Sequence, residues 1–180
     1  MTIPNLITSL RIVLVPILVI YLLDGRLLPA LVVFVIAGLS DGVDGFLARV
    51  FNQKSRLGSF LDPLADKILL VATFIVLAVR DFLPAWLSVV VISRDVLILL
   101  GVLILSLYRG NFLIRPSMLS KLTTCFQLFT VFAVLSEEMI HLLSYTGDLL
   151  LWTTAALTIG SGLHYMHFWF RTMGEEGVIS

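Results

Sequence analysis

Asp41-Gly42-Val43-Asp44-Gly45-Phe46-Leu47-Ala48-Arg49 and, eight residues later, Gly58-Ser59-Phe60-Leu61-Asp62-Pro63-Leu64-Ala65-Asp66 set four aspartates at fixed spacing in a chain otherwise built for lipid. An ionised carboxylate inside a membrane is costly, so an acidic residue there points to function. Two unit negative charges ~6 Å apart repel by roughly 3 kcal/mol at an effective dielectric of ~20. Four converging carboxylates therefore need counter-charge, and one or two divalent cations supply it. Magnesium and manganese are the hard cations that suit oxygen ligands.

The surrounding composition agrees. Of 180 residues, 59% are apolar and 13% charged, against roughly 25% charged in soluble domains. Mean hydropathy is +1.05. A helix needs ~20 apolar residues to span a bilayer. Six windows qualify: Ile7 to Leu23, Leu27 to Val50, Phe60 to Val79, Leu83 to Leu107, Met118 to Leu143 and Leu149 to Phe170. Short polar or glycine-bearing separators join them, so sequential helices are expected to be antiparallel neighbours. The first window lacks a small-residue cleavage site and leads at once into another span, so it reads as a helix and not as a signal peptide. The expected fold is an all-α integral membrane domain over residues 1–180, six transmembrane helices with a polar active-site cavity open to the cytoplasmic side.

Basic residues orient it. Arg49, Lys54 and Arg56 flank one separator, Arg109, Arg115 and Lys121 another, and Arg171 follows the last span. Both termini and the four aspartates are then expected on the cytoplasmic side. The lone Cys125 excludes an internal disulfide and reads as a small packed core residue.

Asp41 and Asp44 are three apart, Asp62 and Asp66 four apart. On helices both spacings put the carboxylates one turn from each other, and the short 51–57 connection lets the two pairs face each other. Glycine costs a helix interior ~1 kcal/mol relative to alanine. Its use at Gly42, Gly45 and Gly58 therefore suggests close approach of backbone or ligand, while Gly38 fits small-residue helix packing. Arg49 and Lys67 either neutralise the carboxylates or bind phosphate oxygens.

The quoted stretch resembles the signature of the CDP-alcohol phosphatidyltransferases, D-x-x-D-G-x-x-A-R, eight residues, then G-x-x-x-D-x-x-x-D. Every defining position is met. The resemblance implies a six-helix membrane enzyme that transfers a phosphatidyl group from CDP-diacylglycerol to an alcohol and releases CMP. It further implies that Asp41, Asp44, Asp62 and Asp66 hold two Mg²⁺ or Mn²⁺ ions, with Asp66 also the general base. Gly42, Gly45, Ala48, Arg49 and Gly58 match the cytidine-diphosphate pocket. A homodimer in a bacterial inner membrane, or its equivalent, is expected.

For the acceptor, Arg94 falls near mid-span, where an arginine should face the bundle interior and a partner. With Lys121 and Arg115 it could bind an acceptor phosphate; a salt bridge to Asp95 or to the aspartates is the other reading. Arg109 fits a topology signal. Two branches of the family use phosphate-bearing acceptors, glycerol 3-phosphate or phosphatidylglycerol. Ile3-Pro4-Asn5-Leu6-Ile7-Thr8, with Arg11, is similar to both. Ile92-Ser93-Arg94-Asp95 and Ser120-Lys121 look more like the cardiolipin-forming branch; the other usually carries Ala-Arg-Glu and Gly-Lys there.

His164 and His167 are spaced to share a metal but have no carboxylate nearby in sequence, and among Tyr165, Trp169 and Phe170 they read as an aromatic belt. Glu137, Glu138 and His141 read as solvated or interfacial, and the tail from Gly174 as frayed. No nucleic-acid module is visible. A cation channel or transporter could also use intramembrane aspartates, but leaves Ala48-Arg49 and the glycine spacing unexplained. An intramembrane prenyltransferase with an aspartate-rich metal site resembles a bundle of about nine helices, more than six windows provide.

Overall fold

The structure, a computed structural model, describes the backbone of residues 3–50, 58–109, 117–140 and 142–174, and within them the side chains of 11–40, 66–101, 104, 117–137, 139 and 147–169. Among the described residues the chain is all-α. Six long helices, α1 (Ile3–Leu23), α2 (Leu27–Val50), α3 (Gly58–Val79), α4 (Ala85–Arg109), α5 (Met118–Leu135) and α7 (Leu142–Gly174), are accompanied by a single turn, α6 (Glu137–Ile140).

The first four helices follow their apolar windows to within a turn or so. The last two do not. The fifth window breaks at Ser136, whose hydroxyl donates to the Ala133 carbonyl at 3.2 Å while its own carbonyl accepts the Met139 amide at 2.9 Å. A serine that bonds locally to backbone offers an alternative to the helical ladder. The expected separator at 144–148 lies inside α7. It holds no proline, and one glycine costs a helix only ~1 kcal/mol.

Two compact units are present. The first contains α1, α2, α3 and residues 131–145, with α1 packed against both α2 and α3. The ends of α1 and α3 are built alike. Arg26 N donates to Tyr21 O and Gly25 N to Leu22 O, with Gly25 at φ 71°. Phe82 N donates to Leu77 O and Asp81 N to Ala78 O, with Asp81 at φ 59°. Both are Schellman caps with a left-handed residue, where glycine is cheapest and aspartate tolerated. A Cβ on Gly25 would lie 3.1 Å from Arg80 Nη2. Gly25 meets Arg80 at one end and Arg11 meets Asp66 further along, so α1 and α3 run parallel. Leu18, Leu22, Ala30, Phe34, Phe74 and Leu77 fill the space between the helices.

The second unit contains α4, residues 118–130 of α5 and α7 from Thr146. Trp86 stacks on Trp152 with ring centroids 5.1 Å apart, and Arg94 reaches Ser161, so α4 and α7 run parallel. Helix α5 runs antiparallel to α7. Thr130 and Thr154 hydroxyls meet at 2.8 Å, Thr123 Oγ1 donates to Leu157 O at 3.1 Å, and Ser117 N donates to the Tyr165 hydroxyl at 3.1 Å.

This second unit is polar inside and apolar outside. Ser88, Arg94, Asp95, Thr123, Gln127, Thr130, Thr154, Thr158 and Ser161 are buried, whereas Val89, Leu99, Leu100, Leu122, Phe129, Trp152 and Leu163 are exposed. Cys125, expected in the core, is exposed among Leu122, Leu128 and Phe129. The inward face of α5 is taken by residues that need hydrogen-bond partners, which turns its apolar residues outward. Among the described residues one helix, Met118–Leu135, is long and apolar enough to cross a membrane, and Arg11–Leu23 and Leu27–Ser40 are shorter apolar stretches.

Candidate active site

In the first unit the backbone is helical through both halves of the aspartate pattern, Asp41 to Arg49 on α2 and Gly58 to Asp66 on α3. Asp41 and Asp44 are thus one turn apart on one helix, and Asp62 and Asp66 one turn apart on the other. The side chains of Asp41, Asp44 and Asp62, like those of Ala48 and Arg49 and the surroundings of Gly42, Gly45 and Gly58, lie outside the described residues. Asp66 is described. Its carboxylate is 39% exposed, and its Oδ1 accepts from Nη1 of Arg11 on α1, which is 1% exposed. A buried guanidinium costs several kcal/mol unless an anion and hydrogen bonds offset it. The contact therefore ties α1 to the last aspartate of the pattern. Lys67 beside it is half-buried.

The donor chemistry of this unit suits a hard divalent cation. The pattern supplies carboxylate oxygens only, from two helices, with neither thiolate nor imidazole to favour a softer metal. Among the described side chains no cluster of three acidic, histidine or cysteine residues occurs; three of the four aspartates stand outside that set.

The second unit centres on Arg94, 4% exposed. Its Nη1 donates to Asp95 Oδ1 at 2.7 Å, and its Nη2 donates to Ser120 Oγ at 2.6 Å and to Ser161 Oγ at 2.7 Å. Gly162 lies against the stem, a Cβ there falling 3.6 Å from Arg94 Cγ. The guanidinium is thus held flat by three helices. Ser117 caps α5, its Oγ accepting the Ser120 amide at 3.1 Å, as an N-cap serine should. Lys121 is exposed one turn further on, and Arg115 lies outside the described residues.

Three site features were not assigned from sequence. Arg11 was quoted only within a resemblance, yet it meets Asp66. Ser161 looked like one polar residue in an apolar span, yet it binds Arg94. Tyr165, placed in an aromatic belt, uses its hydroxyl to hold the start of α5. Helical register offered a signal for Ser161, because Thr154, Thr158 and Ser161 recur at four and three residues, a polar stripe that lipid would not favour.

Residues 1–160 match the family CDP-alcohol phosphatidyltransferase. The chain is 37% identical over 190 residues to a cardiolipin synthase (CMP-forming) of Rattus norvegicus, covering 96% of this chain and 63% of that protein. It is equally 37% identical over 179 residues to a CDP-diacylglycerol–glycerol-3-phosphate 3-phosphatidyltransferase of Bacillus subtilis, covering 90% of this chain and 92% of that one. A Homo sapiens cardiolipin synthase (CMP-forming) is 35% identical, again with 63% of its length spanned. The chain belongs to the CDP-alcohol phosphatidyltransferase family, an enzyme family. It spans less than two thirds of the mammalian relatives and nearly all of the bacterial one.

Proposed function

We propose that this protein transfers the phosphatidyl group of CDP-diacylglycerol to a phosphate-bearing alcohol and releases CMP, working from the cytoplasmic face of a membrane that its six long helices cross. The observation that carries the reading is the complete aspartate pattern on two helices of one unit, with Asp66 held by Arg11. The polar-inside, apolar-outside second unit supports the lipid setting, because in hydrocarbon every buried polar group must find its partner within the protein.

Asp41, Asp44, Asp62 and Asp66 would hold two magnesium or manganese ions, which stabilise charge on the diphosphate oxygens as CMP leaves. Gly42, Gly45, Gly58 and Ala48 leave room for the nucleotide against the helix backbones, and Arg49 meets its phosphates. Asp66 is the base. Its partly exposed carboxylate can take the acceptor hydroxyl proton, while Arg11 fixes one oxygen and leaves the rotamer little choice.

Arg94, with Lys121 and Arg115, binds the acceptor phosphate. The direct partners of Arg94 include two positions at which the sequence leans toward the cardiolipin-forming branch, Asp95 and Ser120. A shorter or absent side chain at these sites would seat the guanidinium differently, so we assign phosphatidylglycerol as the acceptor in preference to glycerol 3-phosphate. A homodimer is the assembly proposed. Purified protein given CDP-diacylglycerol, Mg²⁺ and each acceptor separately, with lipid products identified by mass spectrometry, tests this. Cardiolipin from phosphatidylglycerol is expected. Phosphatidylglycerophosphate alone would transfer the protein to the glycerol 3-phosphate branch.

A further inference from the structure

Beside the Arg94 cluster, wholly within the second unit, α4 and α7 enclose an apolar cavity of about 460 Å³. Ser93, Leu97, Gly101 and Ile104 line one side, Tyr165 and Trp169 the other. The volume is that of a small-molecule pocket, ~300–1,000 Å³, yet its walls offer hydroxyls only from Ser93 and Tyr165. A polar ligand would lose its hydration here with little return. The part of any occupant that enters must be hydrocarbon.

One position on the wall is kept bare. A Cβ built on Gly101 would meet no atom within 4 Å. Glycine in a helix interior costs ~1 kcal/mol relative to alanine, and here close packing gives no compensation. The empty space is the one thing the glycine provides.

The polar end of the cavity is marked by Tyr165. It lines the wall and accepts the amide of Ser117, the residue that caps α5. That helix end carries the positive pole of the dipole, and the exposed Lys121 stands in its first turn. Hydrocarbon walls that end at a cationic helix terminus complement one kind of molecule, an anionic phospholipid.

We infer that this cavity seats an acyl chain of the acceptor lipid, so that the enzyme recognises a diacyl phosphate acceptor by its tail as well as by its phosphate. The inference rests on the phosphatidylglycerol reading above. The acceptor is favoured over the donor because the cavity adjoins Arg94, Ser120 and Lys121, while the aspartate pattern belongs to the other unit. Ser93, on the wall, and Arg94, in the cluster, are consecutive residues of α4, so tail and headgroup determinants share one helical turn.

Gly101→Leu fills the space, and it removes a helix-breaking residue, so the variant should fold at least as well as the parent. Initial rates of CMP release are measured in mixed micelles with dioleoyl- and dihexanoyl-phosphatidylglycerol as acceptors. The expected result is a KM for the dioleoyl acceptor raised by about tenfold or more, the loss expected when several methylenes are shut out. The KM for CDP-diacylglycerol and the rate with the dihexanoyl acceptor should stay unchanged. An unaltered dioleoyl KM, or a shift confined to the donor, overturns the inference and leaves the acceptor reading intact. Parent enzyme that turns over glycerol 3-phosphate but not phosphatidylglycerol overturns both. Independently of activity, phosphatidylglycerol carrying a mid-chain diazirine should crosslink to peptides containing residues 96–104 and 165–169, and labelling confined to other peptides sinks the assignment.

Discussion

Arg11 and Arg94 are both buried guanidiniums in apolar helices, and each is held by a carboxylate. Their settings differ. Arg11 meets a half-exposed partner on another helix, whereas Arg94 meets its own neighbour Asp95 and two hydroxyls from different helices. The Arg94–Asp95 bridge was one of two readings open in the sequence. It is compatible with phosphate binding, since a guanidinium fixed in one plane presents its remaining surface without a further loss of rotamer freedom. Arg94→Ala is therefore expected to raise the acceptor KM by about tenfold or more while moving the donor KM little. A selective rise in the donor KM would reassign Arg94 to the nucleotide. At this scale the four aspartates were legible because their spacing repeats helical geometry. Arg11 was not, because its partner lies 55 positions away and a single arginine near a span end looks like a topology signal.

Helix ends decide how the first unit is assembled. The α1 turn needs a left-handed residue and supplies Gly25 with Arg80 Nη2 close by. Gly25→Ala should cost about 1–2 kcal/mol from backbone strain alone, read as a lower midpoint of thermal unfolding in detergent; an unchanged midpoint would mean the turn relaxes to another geometry. In the second unit the polar seam between α5 and α7 contains one weak joint. Gln127 is fully buried, its Nε2 donates to Thr158 at a long 3.4 Å, and its Oε1 accepts no hydrogen bond among the described residues. An unmet buried acceptor costs ~1–3 kcal/mol, so Gln127→Leu is expected to preserve or raise the thermal midpoint. A marked fall would show that Oε1 is satisfied. The apolar windows foretold α1 to α4 well because turn residues bound them. The break at Ser136 and the early start of α7 were hidden, since Ser136 is followed by Glu137 and Glu138 with neither glycine nor proline at the break.

Across the chain as a whole, side-chain placement reverses the usual arrangement of a water-soluble protein. In the second unit threonines, serines, a glutamine and an ion pair are buried while leucines, valines and tryptophans face out. Apolar burial drives folding in water at ~25 cal/mol per Å², but between helices in lipid that force is absent, and packing and interhelical hydrogen bonds hold the bundle. Composition made the membrane class legible, yet not which face of each span turns inward, and Cys125 was misplaced for that reason. Cys125 gives a direct check. In intact vesicles it should react with a lipid-soluble maleimide and resist a charged, impermeant one; rapid labelling by the charged reagent would place it in water. Turnover itself remains the central claim. The decisive measurement is CMP release from CDP-diacylglycerol by the purified protein with Mg²⁺ and phosphatidylglycerol, run beside Asp66→Asn and beside parent protein treated with EDTA. The account predicts CMP from the parent alone, with loss of about 10²–10⁴-fold or more in the variant and recovery of the chelated protein when Mg²⁺ or Mn²⁺ is restored. Undiminished release by Asp66→Asn, or release indifferent to EDTA, would contradict it.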